Sequence, residues 1–166
     1  MNIEFRLANI DDLQSVLEIF NNATNAMNSK GIYQWDNIYP NADILSLDIK
    51  KEQMHLAVSE NEILSAFVIN SECDDEYKKV KWNYPDLPYI VVHRLCVNPE
   101  YQNIGIGMKS MLEAESIAKN NGVKAIRLDA FTENPVALSL YEKLGYSIAG
   151  YADWRKGRFA LMEKKL

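Results

Sequence analysis

A chain of 166 residues with 48% hydrophobic side chains has the length and apolar content for one compact domain, here expected over 1–166, and with 25% charged residues a disordered chain is not the reading. Its 18 Lys and Arg are outnumbered by 23 Asp and Glu, a net charge of −5. That balance argues against a general nucleic-acid binder, which needs clustered cations for phosphate, and against an anionic membrane surface.

Two cysteines, Cys73 and Cys96, give neither a disulfide framework nor a metal-ligand spacing, so no metal is expected. The start, Met1-Asn2-Ile3-Glu4, lacks the basic stretch and apolar core of a signal, and no apolar run approaches the roughly 20 residues of a membrane span. The expectation is a cytoplasmic protein with no membrane partner.

In chain order, Ile3, Phe5 and Leu7 alternate with polar residues, as in a half-buried strand. Asn9, Asp11 and Asp12 offer a helix start, and Leu13, Val16, Leu17 and Phe20 follow at helical spacing. Residues 21–41 are polar, aromatic and weakly periodic, which predicts the helix end plus a loop. A second helix is predicted over 42–51. Met54, Leu56 and Val58 alternate, Glu60-Asn61 turns the chain, and 63–69 supplies the partner strand. Residues 71–88 form a long excursion, acidic at Asp74-Asp75-Glu76 and basic at Lys78-Lys79, that reads either as a solvated loop or as a substrate rim. The apolar run 89–97 predicts a central strand. A helix then runs from about 105 to 121, with Met108, Met111, Leu112 and Ala118 on one face and Gly122 as C-terminal cap. Strand 125–131 follows, then a short helix opened by Asn134-Pro135 and closed by Gly145. A last strand pair, 146–151 and 159–164, is joined through Trp154-Arg155-Lys156-Gly157. The order β-α-α-β-β-β-α-β-α-β-β predicts one mixed α/β layer system.

The most informative feature is Gln102-Asn103-Ile104-Gly105-Ile106-Gly107, set between a strand and a helix. A helix N-terminus leaves backbone N–H groups unpaired and carries partial positive charge, so a pyrophosphate can accept from several of them. Glycine lets phosphate approach the backbone and permits positive φ. A simple helix cap would use the same residues. Two nucleotide motifs are excluded: a dinucleotide fingerprint wants glycine where Ser110 stands, and a P-loop wants glycine where Met108 precedes Lys109-Ser110.

The stretch Arg94-Leu95-Cys96-Val97-Asn98-Pro99-Glu100-Tyr101-Gln102-Asn103-Ile104-Gly105-Ile106-Gly107 resembles a signature of the GNAT superfamily of N-acetyltransferases, Gln/Arg-x-x-Gly-x-Gly/Ala after a strand. Asn134-Pro135-Val136-Ala137-Leu138-Ser139-Leu140-Tyr141-Glu142-Lys143-Leu144-Gly145-Tyr146 resembles the family's second signature. One departure is that positions 103 and 104, often basic in relatives, are Asn and Ile, which leaves more of the phosphate binding to backbone. The resemblance implies a mixed, mostly antiparallel sheet flanked by helices, with strands 89–97 and 125–131 as a splayed central parallel pair. It implies acetyl-coenzyme A as co-substrate and no metal. It places cofactor contacts at Leu95, Cys96, Val97, Gln102, Asn103, Ile104, Gly105, Ile106, Gly107, Asn134 and Tyr141. The amine would attack the thioester directly in a ternary complex, with a backbone N–H near 95–97 meeting the oxyanion.

In that mechanism Tyr141 becomes the proton donor to the departing thiolate; without the resemblance it reads as a core aromatic. His93 is a candidate base, since its ordinary pKa near 6.5 suits neutral pH, or a packed histidine of the central strand. Glu133 is the rival base. Cys96 reads as a small buried hydrophobe. Trp35, Asp36 and Tyr39 fall in the family's variable acceptor region. They either line a pocket for a cationic amine or pin a loop to the core. The acceptor is a small-molecule or peptide amine, and a homodimer is consistent with the family. An alternative is a catalytically idle acyl-coenzyme A-binding or sensing module on the same fold.

Overall fold

A computed structural model describes all residues, Met1–Leu166. Seven strands and four helices follow the predicted order: β1 Glu4–Leu7, α1 Leu13–Ser29, α2 Ala42–Lys50, β2 Met54–Ser59, β3 Glu62–Asn70, β4 Tyr89–Val97, α3 Ile106–Asn120, β5 Ala125–Phe131, α4 Pro135–Lys143, β6 Ser147–Trp154 and β7 Gly157–Lys165. The strands form one sheet in the order β1-β2-β3-β4-β5-β7-β6. β4 and β5 are parallel, whereas β1–β2, β2–β3, β5–β7 and β6–β7 are antiparallel. The expected fold class, a mostly antiparallel mixed sheet flanked by helices, is the observed one.

The chain divides into two compact units, residues 1–69 with 94–111 and residues 70–93 with 112–166. In the first, α1 buries Val16, Ile19, Phe20 and Ala23, α2 buries Leu45 and Ile49, and both cover Met54, Leu56, Ala66 and Val68 of β2 and β3. Burying each large side chain of this set is worth about 1.5–3 kcal/mol, which is the driving force for the unit. Local chemistry sets the starts. Asn9 and Asp12 form a reciprocal capping box before α1, and Asn41 Oδ1 accepts from Ile44 N at 3.0 Å to open α2. α1 runs further than the sequence predicts, through Ser29. Its third turn continues the buried face with Ala23, while a run of outward asparagines dilutes the periodicity.

In the second unit, β5 lies beside β7, and β7 beside β6. The excursion before β4 is largely exposed but anchored. It makes a short 3₁₀ turn, Asp75–Lys79, and packs Tyr77 and Trp82 on Val91, Ala152 and Leu161. It is also held at its end, where Glu163 Oε1 accepts from the backbone N–H of Asn83 and Tyr84 at 2.9 and 3.1 Å. Glu163 Oε2 pairs with Arg127 Nε at 2.9 Å, and the Arg127 guanidinium lies 3.8 Å from the ring centroid of Tyr89 and 4.3 Å from that of Trp82. A buried ion pair satisfied in this way stabilises little relative to apolar packing, but removing one partner strands the other.

α3 starts at Ile106, one residue later than the glycine suggests. It buries Ile106, Ser110, Met111, Ala114, Glu115 and Ala118, while Met108 and Leu112 are exposed. The predicted face of α3 is therefore corrected. Buried Ile106 sets the phase, and Ser110 and Ala114 repeat from it at four-residue spacing. Gly122 (φ +73) and Gly145 (φ +90) follow the ends of α3 and α4 in the left-handed conformation expected of C-terminal caps.

Candidate active site

The glycine turn is built from both sides. Asn98 Oδ1 accepts from Glu100 N at 3.2 Å, and its Nδ2 donates to the Ile63 carbonyl at 3.2 Å. Gln102 Nε2 donates to the Val97 carbonyl at 3.3 Å, which ties the turn to the end of β4. Beyond it, Asn103 (φ +64) and Gly105 (φ +86) are both left-handed. Gly105 O accepts from Lys109 N at 3.1 Å, so Gly105 is the first half-turn of α3. Ile106 is buried with Ala57 and Leu64, while Asn103, Ile104 and Gly105 are exposed. A Cβ on Gly105 would meet nothing within 4 Å. Glycine is thus favoured here by φ, and open space lies over the backbone at the positive end of a 15-residue helix. The turn therefore has the room and the dipole for a pyrophosphate.

β4 changes direction within its length. Arg94 has φ +51 in the middle of the strand. Past it, Cys96 points into the first unit's core, with its thiol 3.7 Å from the Ile19 carbonyl. Burial pushes that thiol far above its ordinary pKa and keeps it protonated. Val97 packs against the cluster of Ala57, Leu64 and Ile106.

In the second unit, the β4–β5 ladder comprises Tyr89↔Ala125, Ile90↔Ile126 and Val91↔Arg127. Both strands then continue, β5 paired on its other side with β7 as far as Phe131↔Phe159. His93, beyond the ladder, has Nε2 2.8 Å from Asn70 Oδ1 and 3.0 Å from the Glu72 carbonyl. A carbonyl can only accept, so Nε2 carries a proton. Glu133 is exposed in the turn before α4. Asn134 caps α4, its Oδ1 accepting from Ala137 N at 3.1 Å. Tyr141 is 7% exposed and lies edge-on to Tyr146 at 6.0 Å. Burial first, and the Asp129 carboxylate second, push its phenol well above 10, so it stays a proton donor.

Asp129 was not singled out from the sequence. It accepts from the Tyr77 hydroxyl at 2.7 Å and is half-buried on β5. The signal was present: Arg127 and Asp129 interrupt an otherwise apolar run, Ala125 to Phe131. Of the acceptor candidates, Trp35 is buried against Phe20, 5.2 Å between ring centroids. Asp36 Oδ1 accepts from the N–H groups of Ile38 and Tyr39 at 3.0 and 3.1 Å. The Tyr39 hydroxyl accepts from Arg94 Nη1 at 2.8 Å. Trp35 and Asp36 thus shape the loop, and Tyr39 joins it to β4. No three His, Cys, Asp or Glu side chains gather as a metal site, and no helix is long and apolar enough to cross a membrane.

Three comparisons bear on this arrangement. The model of the Acetyltransferase (GNAT) family matches residues 14–146. A spermidine N(1)-acetyltransferase of Thermoplasma acidophilum is 29% identical over 172 residues, covering 99% of this chain and 98% of its own. Among solved structures, a PaiA N-acetyltransferase of Thermoplasma acidophilum in complex with coenzyme A superposes with TM-score 0.75 at 23% identity, over 100% of both chains. A GNAT-family acetyltransferase of Streptococcus agalactiae gives 0.85 at 16% identity, over 99% of this chain and 95% of that one.

Proposed function

Because this chain belongs to the acetyltransferase (GNAT) family, we propose that it moves an acetyl group from acetyl-coenzyme A to a small cationic amine. The observation that carries the reading is the turn at 102–107. It has two left-handed residues, open space over Gly105 and a 15-residue helix behind them. Backbone N–H groups of 103–107 hold the pyrophosphate, with Gln102 fixing the turn to β4. The backbone of Leu95, Cys96 and Val97 serves the thioester end, one N–H polarising its carbonyl. The short ladder between β4 and β5 supports a place for the amide-bearing arm beside strand backbone. Asn134 caps α4, the helix that carries Tyr141.

The acetyl group goes to the amine without an acyl-enzyme, because the one cysteine on β4 is buried and held protonated. His93 takes the ammonium proton, directly or through water. Glu133 is the alternative base. Tyr141 gives its proton, or a strong hydrogen bond, to the leaving thiolate. The spermidine acetyltransferase relative and the net charge of −5 support the acceptor class.

Free-thiol release from acetyl-coenzyme A tests this, with polyamines, monoamines, free amino acids and peptide N-termini as acceptors. Polyamines are expected to give the highest kcat/KM. Tight coenzyme A binding with no thiol release for any amine would favour an idle binding module instead.

A further inference from the structure

The non-glycine residues with positive φ include Glu52, Glu60, Asn61 and Asn103, which sit in turns, and Arg94 (φ +51), which sits inside strand β4. Left-handed backbone inside a strand is held only where surrounding contacts over-determine it. Here the contacts come from the residue's own side chain. Arg94 Nε and Nη2 grip the two oxygens of Asp48 at 2.9 and 2.7 Å, and Nη1 donates to the Tyr39 hydroxyl at 2.8 Å. The guanidinium carbon also lies 5.8 Å from the Tyr39 ring centroid. Asp48 is 5% exposed, on the last turn of α2. Tyr39 closes the loop that Asp36 braces, and Asn41 opens α2 two residues later. One side chain at the kink of β4 therefore holds both Tyr39, in the loop that carries the acceptor candidates, and Asp48, at the far end of the helix that follows it. Immediately after the kink come the backbone groups assigned to the thioester.

We propose that Arg94 is a positioning residue that couples the acceptor loop to the thioester end of β4 through its fork on Asp48 and Tyr39. This rests on the acetyltransferase reading above. The fork fixes how the 94–95 peptide is turned, and through Tyr39 it fixes how far the acceptor loop stands from that peptide. The amine and the acetyl carbonyl are then held in one frame, the geometry direct attack requires. A planar, bidentate cation suits this task and a lysine does not, because only the guanidinium can bind Asp48 with two parallel bonds and still reach Tyr39.

The test is a double-mutant cycle on Tyr39→Phe and Arg94→Lys, read as separate KM values for acceptor and acetyl-coenzyme A, with calorimetric coenzyme A affinity and a melting curve. Tyr39→Phe removes one hydroxyl and keeps the ring. It is expected to raise the acceptor KM about 3- to 10-fold, with coenzyme A affinity and melting temperature nearly unchanged. Arg94→Lys keeps a cation for Asp48 but loses the fork. It should raise the acceptor KM further and lower kcat about tenfold or more. Adding Tyr39→Phe to Arg94→Lys should then cost nothing extra. Additive effects, equal shifts of both KM values, or no shift in either would overturn the coupling in an active enzyme. A wild type inert toward every amine would overturn the function itself, and the role of Arg94 with it.

Discussion

At the scale of single residues, protonation decides which groups can act. Burial holds the Tyr141 phenol above its ordinary value near 10, and Asp129 adds to the shift. A donor with a raised pKa stays loaded, so Tyr141→Phe is expected to lower kcat about 10²- to 10⁴-fold with little change in acetyl-coenzyme A KM. Its melting curve should report a loss of no more than about 1 kcal/mol, the size of one hydrogen bond. A near-normal kcat would make Tyr141 a packing residue. Cys96→Ala is expected to keep turnover, because the thiol is buried and held protonated. A trapped acetyl adduct on Cys96, seen by mass spectrometry, would overturn direct attack. The sequence exposed the site unevenly at this scale. Tyr141 and the turn glycines stand in short, ordered signatures. Asp129 and Arg94 act through partners 52 and 46 residues away, Tyr77 and Asp48, and no local pattern announces such pairings.

At the scale of elements, the turn before α3 and the packing of β2 each support a prediction. Gly105 is left-handed with open space above it, so Gly105→Glu adds both backbone strain and an anion where the pyrophosphate would lie. Coenzyme A affinity by calorimetry is expected to fall below detection in a folded variant; unchanged affinity would move the cofactor elsewhere. On β2, His55 stacks on Phe67 at 5.4 Å, and burial lowers its pKa from the ordinary 6.5. The unfolded chain then binds the proton more readily than the folded one. Stability from this position is full above about pH 6.5 and declines as pH falls toward the folded-state value. Urea midpoints at pH 7.5 and 5.5 should differ less in His55→Gln than in the wild type; an equal difference would assign the pH response to other groups. Strands and caps were legible from sequence because alternation and Asn, Pro and Gly at element ends are local signals. The buried face of α3 was not, because Ser110 and Glu115 occupy core positions, bonded to Ser65 and to Lys164 and Tyr146, while Met108 and Leu112 remain outside. The anchoring of the excursion before β4 was not legible for a related reason: Tyr77 and Trp82 are spaced within a polar stretch.

At the scale of the whole molecule, the proposed reaction brings together two substrates of opposite charge on a protein of net charge −5. A polyamine is drawn in by that field and coenzyme A is opposed by it. In the proposed site the turn would offer the phosphates backbone dipoles and not side-chain cations at positions 103 and 104, which are Asn and Ile. Dipoles act within the first helical turn and are little help at long range. Salt should therefore act on the two substrates with opposite sign. Raising ionic strength from about 0.01 to 0.15 M shortens the screening length from about 30 to 8 Å, which removes most long-range terms and leaves contacts intact. For a triamine, kcat/KM is expected to fall several-fold over that range. For a monoamine of similar length it should fall less, because fewer charges feel the field. The KM of acetyl-coenzyme A should hold steady or decrease. Initial rates across a salt series, with each substrate varied at saturation of the other, measure all three slopes. Equal slopes for triamine and monoamine would remove the electrostatic argument for a polycationic acceptor. A coenzyme A KM that rises with salt would mean that side-chain cations hold the phosphates after all, with the nearby Lys109 as the first residue to replace.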